Sequence, residues 1–146
     1  MDELVAGRVA ENTAQSVIDG LYLFSNCSLG QELTINDFCS DYVNALANGK
    51  VFIEYTESRP IGCMTWCFLT EDQARSMTST GYTPTLEDYQ KNDGDQLWVF
   101  WTVALDGNGR RLAYQVKRLL NSLYGRRTLF WVRDTDFYVR IHRGHS

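Results

Sequence analysis

Residues Gln96-Leu97-Trp98-Val99-Phe100-Trp101-Thr102-Val103-Ala104-Leu105 are apolar at both odd and even positions. A strand of that kind lies inside a sheet, covered on both faces. It runs directly into Asp106-Gly107-Asn108-Gly109. From Arg110 to Leu123 the period changes: Leu112, Val116, Leu119, Leu120 and Leu123 recur at helical spacing, with Arg111, Lys117 and Arg118 on the other side. That pattern predicts an amphipathic helix stopped by Gly125. A buried strand, a glycine turn and a helix in succession point to an α/β or α+β fold.

Working outward, Thr128–Arg133 and Phe137–Ile141 predict two closing strands around Asp134-Thr135-Asp136. Upstream, Lys50–Tyr55 and Ile61–Leu69 predict a hairpin turned at Ser58-Arg59-Pro60. Thr34 with Asp37 predicts a capped helix through Phe38, Tyr42, Val43 and Leu46, ended by Gly49. The stretch from Glu3 to about Leu23 has apolar residues at helical spacing and predicts a first helix. Thr70 caps a short helix toward Met77, and Thr85 a helical turn with Leu86 and Tyr89. Residues 78–95 read as a polar surface excursion with few anchors. The expected order is α-α-β-β-(α)-β-α-β-β in a mixed sheet. Nothing divides the chain, so residues 1–146 are expected to form one domain.

Composition excludes several function classes. Of 146 residues only two are His, at positions 142 and 145. No catalytic dyad, triad or metal site using His can form within residues 1–141. No metal is expected. No apolar run is long enough to cross a membrane. Met1-Asp2-Glu3 is acidic, unlike the basic start of a signal peptide, so the expected location is cytoplasmic. Cys27, Cys39, Cys63 and Cys67 form no C-x-x-C motif. Cys63 and Cys67 are expected to share one strand face roughly 13 Å apart, too far for a disulfide.

Charge is lopsided. Residues 1–106 carry 5 basic and 16 acidic side chains, net −11, whereas residues 107–146 carry 9 and 2, net +7, together the −4 of the whole chain. A basic quarter on an acidic protein suggests a face for an anionic partner. Arg118, Arg126, Arg127, Arg133 and Arg140 are its candidate contact residues. The competing reading is solvated arginines that meet the protein's own acidic half.

Gly107, Asn108, Gly109, Arg110 and Arg111 form the candidate cofactor-binding turn. Glycines let backbone N–H groups approach a ligand, the helix start adds partial positive charge, and arginines add bidentate donors. That chemistry suits a phosphate, a pyrophosphate or a 4′-phosphopantetheine arm. A steric turn explains the glycines equally well. Trp98, Phe100, Trp101, Phe130, Trp131, Phe137 and Tyr138, interleaved with arginines, suit either base stacking or a sheet core.

From about Val17 to Arg143 the chain resembles the toxin-activating lysine acyltransferases, the bacterial enzymes that fatty-acylate RTX toxins. The marks are Thr65-Trp66 in the second hairpin strand, the polar segment after it, the strand Trp98 to Ala104, and Gly107 with its basic helix. Phe130-Trp131-Val132-Arg133 through Tyr138-Val139-Arg140 resembles the closing hairpin of short, phage-encoded relatives. The resemblance implies a GNAT-like mixed sheet flanked by helices, an acyl-carrier-protein donor and an internal lysine acceptor. It also implies a catalytic His in the loop between the first two helices and a catalytic Asp in the core strand. Those positions fall near Gly30 and on Trp101, so neither residue is present.

Glu32 or Asp37 could substitute as a base if buried, and Cys27 as an acyl acceptor. Each also reads as an ordinary loop or cap residue. Three functions follow. The first is a catalytically degenerate relative that binds a host macromolecule through its basic C-terminal surface, as an inhibitor or modulator, in the manner of a phage anti-defence protein. The second is an active lysine acyl- or acetyltransferase using acyl-carrier protein or acyl-CoA. The third is a nucleic-acid-binding module. A homodimer is compatible with the resemblance.

Overall fold

The computed structural model describes residues 5–27, 34–57, 59–80, 84–91, 94–105, 107–133 and 138–142. Its elements are β1 (Ala6–Val9), α1 (Ala14–Ser25), α2 (Ile35–Phe38), a π-helical turn (Cys39–Val43), α3 (Asn44–Ala47), β2 (Val51–Tyr55), β3 (Pro60–Leu69), α4 (Glu71–Thr80), α5 (Leu86–Lys91), β4 (Gln96–Ala104), α6 (Gly109–Tyr124), β5 (Leu129–Arg133) and β6 (Tyr138–His142). The six strands form one sheet in sequence order. Every adjacent pair is antiparallel except β4 and β5, which are parallel because α6 carries the chain back between them. The mixed α/β architecture expected from sequence is therefore present.

The central strand is where its composition puts it. Leu97, Trp98 and Val99 are all buried, between β3 on one side and β5 on the other. One face of the sheet packs against the helices before β2, through Leu23, Phe24, Phe38, Tyr42, Leu46, Ile53, Cys63 and Trp98. The opposite face packs against α6 through Phe52, Trp66, Leu97, Val99, Leu112, Val116 and Leu120. Cys63 and Cys67 share the first face, as their spacing requires, and all four cysteines are free thiols.

The Thr34 cap is a full capping box: Asp37 N–H donates to Thr34 Oγ1, and Thr34 N–H donates to Asp37 Oδ2, both at 3.1 Å. Gly49 ends this helical segment at φ 69°. Thr70–Gln73 and Thr85–Asp88 make reciprocal boxes of the same type before α4 and α5.

Three expectations are corrected. Glu3–Leu23 is not one helix: Ala6–Val9 forms an edge strand on β2, and α1 begins after Thr13, whose hydroxyl accepts from Ser16 N–H. Gly7 lies so close to the Phe52 ring that an added Cβ would collide with it, and all four residues of Ala6–Val9 pair with β2. Within the 78–95 segment, of which residues 81–83, 92 and 93 lie outside the described residues, α5 and Gly94 are better anchored than their polarity suggests. Tyr89 is 2% exposed, and Gly94 packs directly on the Leu69 backbone. Leu123, expected inward, is 51% exposed at the end of α6.

Candidate functional site

Only three residue pairs join β4 to β5: Leu97 with Leu129, Trp98 with Phe130, and Val99 with Trp131. β4 continues to Ala104 on β3 alone, so among the described residues its far edge is unpaired beyond Val99. At the same point β4 carries an extra residue. Met64 faces Thr102 while Trp66 faces Val99, leaving Phe100 and Trp101 against Thr65. Such a bulge sharpens the local twist and turns a strand away from its neighbour. Below it, Trp98 and Phe130 stack at 4.8 Å between centroids and hold the two strands together.

Parallel strands end on the same side, so the unpaired end of β4 opens toward Leu105, Gly107 and the start of α6. Gly107 has φ 75°, a conformation costly for any residue with a Cβ. Gly109 has no such need: a Cβ there would find only Ala104 Cβ, at 3.9 Å. The steric reading therefore accounts for Gly107 but not for Gly109.

Asn108 occupies the N-cap of α6 but makes no side-chain cap hydrogen bond. Its Nδ2 donates to Leu105 O at 2.7 Å, and its Oδ1 accepts from Arg111 Nη2 at 2.9 Å. Arg111 is held in turn by Glu54 of β2, with Nε 3.3 Å from Oε2. Gly62 of β3 is the ladder partner of Glu54, and a Cβ there would press on Leu112 and on Val103 O, both at 3.1 Å. Glu54 is 1% exposed, and its Oε1 has no partner. Burial pushes the Glu54 carboxyl above the usual range, and Arg111 only partly opposes this.

The predicted ligand arginines therefore separate. Arg110 is exposed beside the turn, whereas Arg111, expected outward, is tied to the protein's own carboxylate. Glu54 escaped the sequence reading, although it is the one charged residue within β2 and faces a glycine on β3.

The other candidates fall as follows. Arg118 is exposed and lies over the Tyr114 ring at 5.8 Å. Arg126 is exposed. Arg127 donates to Tyr124 O at 3.1 Å and lies over Phe68 at 5.4 Å. Arg133 and Arg140 belong to β5 and β6, with Arg140 opposite Trp131; their side chains lie outside the description, as does that of Trp101. Gly30 and Glu32 fall outside the described residues. Asp37 is committed to its capping box. Cys27 is half-buried, and its thiol donates to Phe24 O at 3.3 Å. Trp98 and Trp131 are 2% and 5% exposed, so they serve as core and not as stacking platforms.

A family model, HlyC, the RTX toxin acyltransferase family, matches residues 13–142. The chain belongs to the RTX toxin acyltransferase family. The matched span takes in the bulged strand β4, the 105–109 turn, α6 and both closing strands; β1 precedes it. No curated protein matches the chain significantly. Among solved structures, the crystal structure of the loading GNATL domain of CurA from Lyngbya majuscula is similar, with TM-score 0.63 and 14% identity over 92% of this chain and 69% of that one. That likeness establishes a GNAT-like fold for this family member. No helix among the described residues is long and apolar enough to cross a membrane, and no group of His, Cys, Asp and Glu among them could hold a metal ion.

Proposed function

We propose that this protein holds a phosphopantetheine-linked acyl donor where β4 and β5 part, and acts by binding a partner macromolecule without its family's His–Asp chemistry. The observation that carries this reading is the end of the parallel ladder at Val99 and Trp131, just before an α6 N-terminus whose cap residue is turned away.

A pantetheine arm carries two amides, and an unpaired strand edge offers the alternating N–H and C=O groups to bind them. Its phosphate suits the first amides of α6 and the free charge of Arg110. The same elements suit coenzyme A and a carrier-bound arm. Arg110 and Arg118 on α6, with Arg126 just beyond it, present exposed cations to an acidic partner. An acyl carrier, or a host protein with a similar acidic surface, has the complementary chemistry. The absence of His through residue 141 and the indole at position 101 support binding over transfer.

The test pairs two measurements. The protein is incubated with acidic acyl-carrier protein bearing a labelled acyl thioester. Stable complex formation with no label passing to protein lysines is expected. Transfer of label to a lysine would replace this reading with an active transferase. Binding unaffected by reversing Arg110, Arg118 and Arg126 to Glu would remove the docking surface.

A further inference from the structure

Lys50 follows Gly49, whose φ of 69° ends the helical segment before β2. Its backbone is fixed twice: its N–H donates to Ala45 O at 2.9 Å, and its carbonyl accepts from Trp66 N–H at 3.1 Å. The side chain is thereby carried inside, to 6% exposure, with Nζ 5.5 Å from the centre of the Phe68 ring. Among the described residues no oxygen accepts from that ammonium. A buried ammonium has three donors, and leaving them unmatched is costly. The ring offsets part of that cost.

The same ring serves a second cation. Arg127 Cζ lies 5.4 Å from its centre. Arg127 spends one nitrogen on Tyr124 O at 3.1 Å and has no carboxylate partner among the described residues. Tyr124 meets Phe68 edge-on at 4.8 Å. Its hydroxyl accepts from Trp66 Nε1 at 3.2 Å. An indole N–H only donates, so the phenolic proton points elsewhere, and among the described residues it finds no acceptor. An ammonium, a phenol and a guanidinium thus surround Phe68, all donors and none matched by an anion.

We infer that Lys50, Tyr124 and Arg127 form a binding site for a small tetrahedral oxyanion of the phosphate class around Phe68. Two cations and a phenol suit a dianion with several oxygens better than a planar monoanion. Lys50 is nearly enclosed, so the ion is small; Arg127 is exposed, and its long side chain can close over it. The site lies at the far end of α6, whose 16 residues put Tyr124 roughly 22–24 Å from Gly109. It therefore does not depend on the donor reading above.

The test titrates inorganic phosphate by calorimetry, at constant ionic strength, into protein free of phosphate. Wild type is expected to bind it saturably, and phosphate is expected to raise the unfolding temperature. Lys50→Met, which keeps the apolar stem, should weaken binding at least about tenfold, as loss of a charge-assisted hydrogen bond does. Tyr124→Phe and Arg127→Gln should each weaken it about fivefold. Arg127→Gln changes an exposed side chain, so it decides the matter even if Lys50→Met fails to fold. No saturable binding by wild type, or equal affinity in wild type and all three variants, overturns the inference. So does binding that survives in Lys50→Met and is lost in Arg110→Glu, because the phosphate then sits at the start of α6. Acetate should bind far more weakly, and acetate matching phosphate overturns the assignment to a tetrahedral ion. A protein that binds phosphate through Lys50 but takes no coenzyme A loses the donor reading and keeps this site.

Discussion

Trp98 and Phe130 stack with planes 19° apart, one residue pair before β4 and β5 cease to pair. Among the described residues this contact joins the one parallel strand pair of the sheet just before the two strands part. Phe130→Ala removes one ring from a half-buried stack and is expected to cost about 2–3 kcal/mol, below the range for a fully buried Phe. Urea unfolding measures the loss. Coenzyme A binding should weaken alongside it, because the opening above the stack loses its fixed width.

Arg111 and Arg110 are neighbours in sequence with opposite expected phenotypes. Arg110→Glu should leave stability within about 0.5 kcal/mol and weaken binding of an anionic donor, since it changes an exposed charge. Arg111→Met leaves Glu54 buried without its cation. The loss is expected near 1–2 kcal/mol at pH 7, reduced because Arg111 is itself partly exposed.

The pH dependence fixes the sign of that loss. The Glu54 carboxyl is raised above its usual 4.5, so its contribution is fully present below 4.5 and is lost as pH rises through the folded value. Removing Arg111 takes away the groups that lower it, so the window widens upward. Arg111→Met should therefore approach wild-type stability near pH 4 and fall behind it by pH 7. Parallel curves at the two pH values would contradict this account.

Lys50 is 6% exposed, with its ammonium over the Phe68 ring at 5.5 Å and, among the described residues, no ion pair to a carboxylate. Burial lowers its affinity for a proton below the usual 10.5, so its contribution is present above that value and lost as pH falls through the folded one. Lys50→Met keeps the stem and removes the charge. It is expected to raise stability at pH 7 by about 1 kcal/mol and to flatten the pH dependence below 10.5. Thermal unfolding across that range measures both.

Gly20 in α1 lies against Tyr42, where an added Cβ would collide with the ring. Ala gains up to ~1 kcal/mol in helix propensity, but overpacking costs about 1–3 kcal/mol. Tyr42 cannot retreat freely, since its hydroxyl donates to Ser16 O at 2.6 Å. Gly20→Ala should therefore destabilise the protein in urea.

By itself the sequence determined the central strand, the glycine turn, the amphipathic helix and the Thr34 capping box, because each depends on periodicity or on contacts within a few residues. It also determined that no histidine chemistry is available through residue 141. Tertiary structure decided what those local rules do not reach. Ala6–Val9 became a strand because β2 supplied partners from more than forty positions away. The ladder between β4 and β5 ended at Val99 because of a bulge defined only against β3. Arg111 turned from an expected ligand into a clamp because the packing of α6 on the sheet brings its guanidinium within 3.3 Å of Glu54 on β2. Hydrophobic period fixes which way a side chain faces; only the packed sheet fixes which distant charge it meets there.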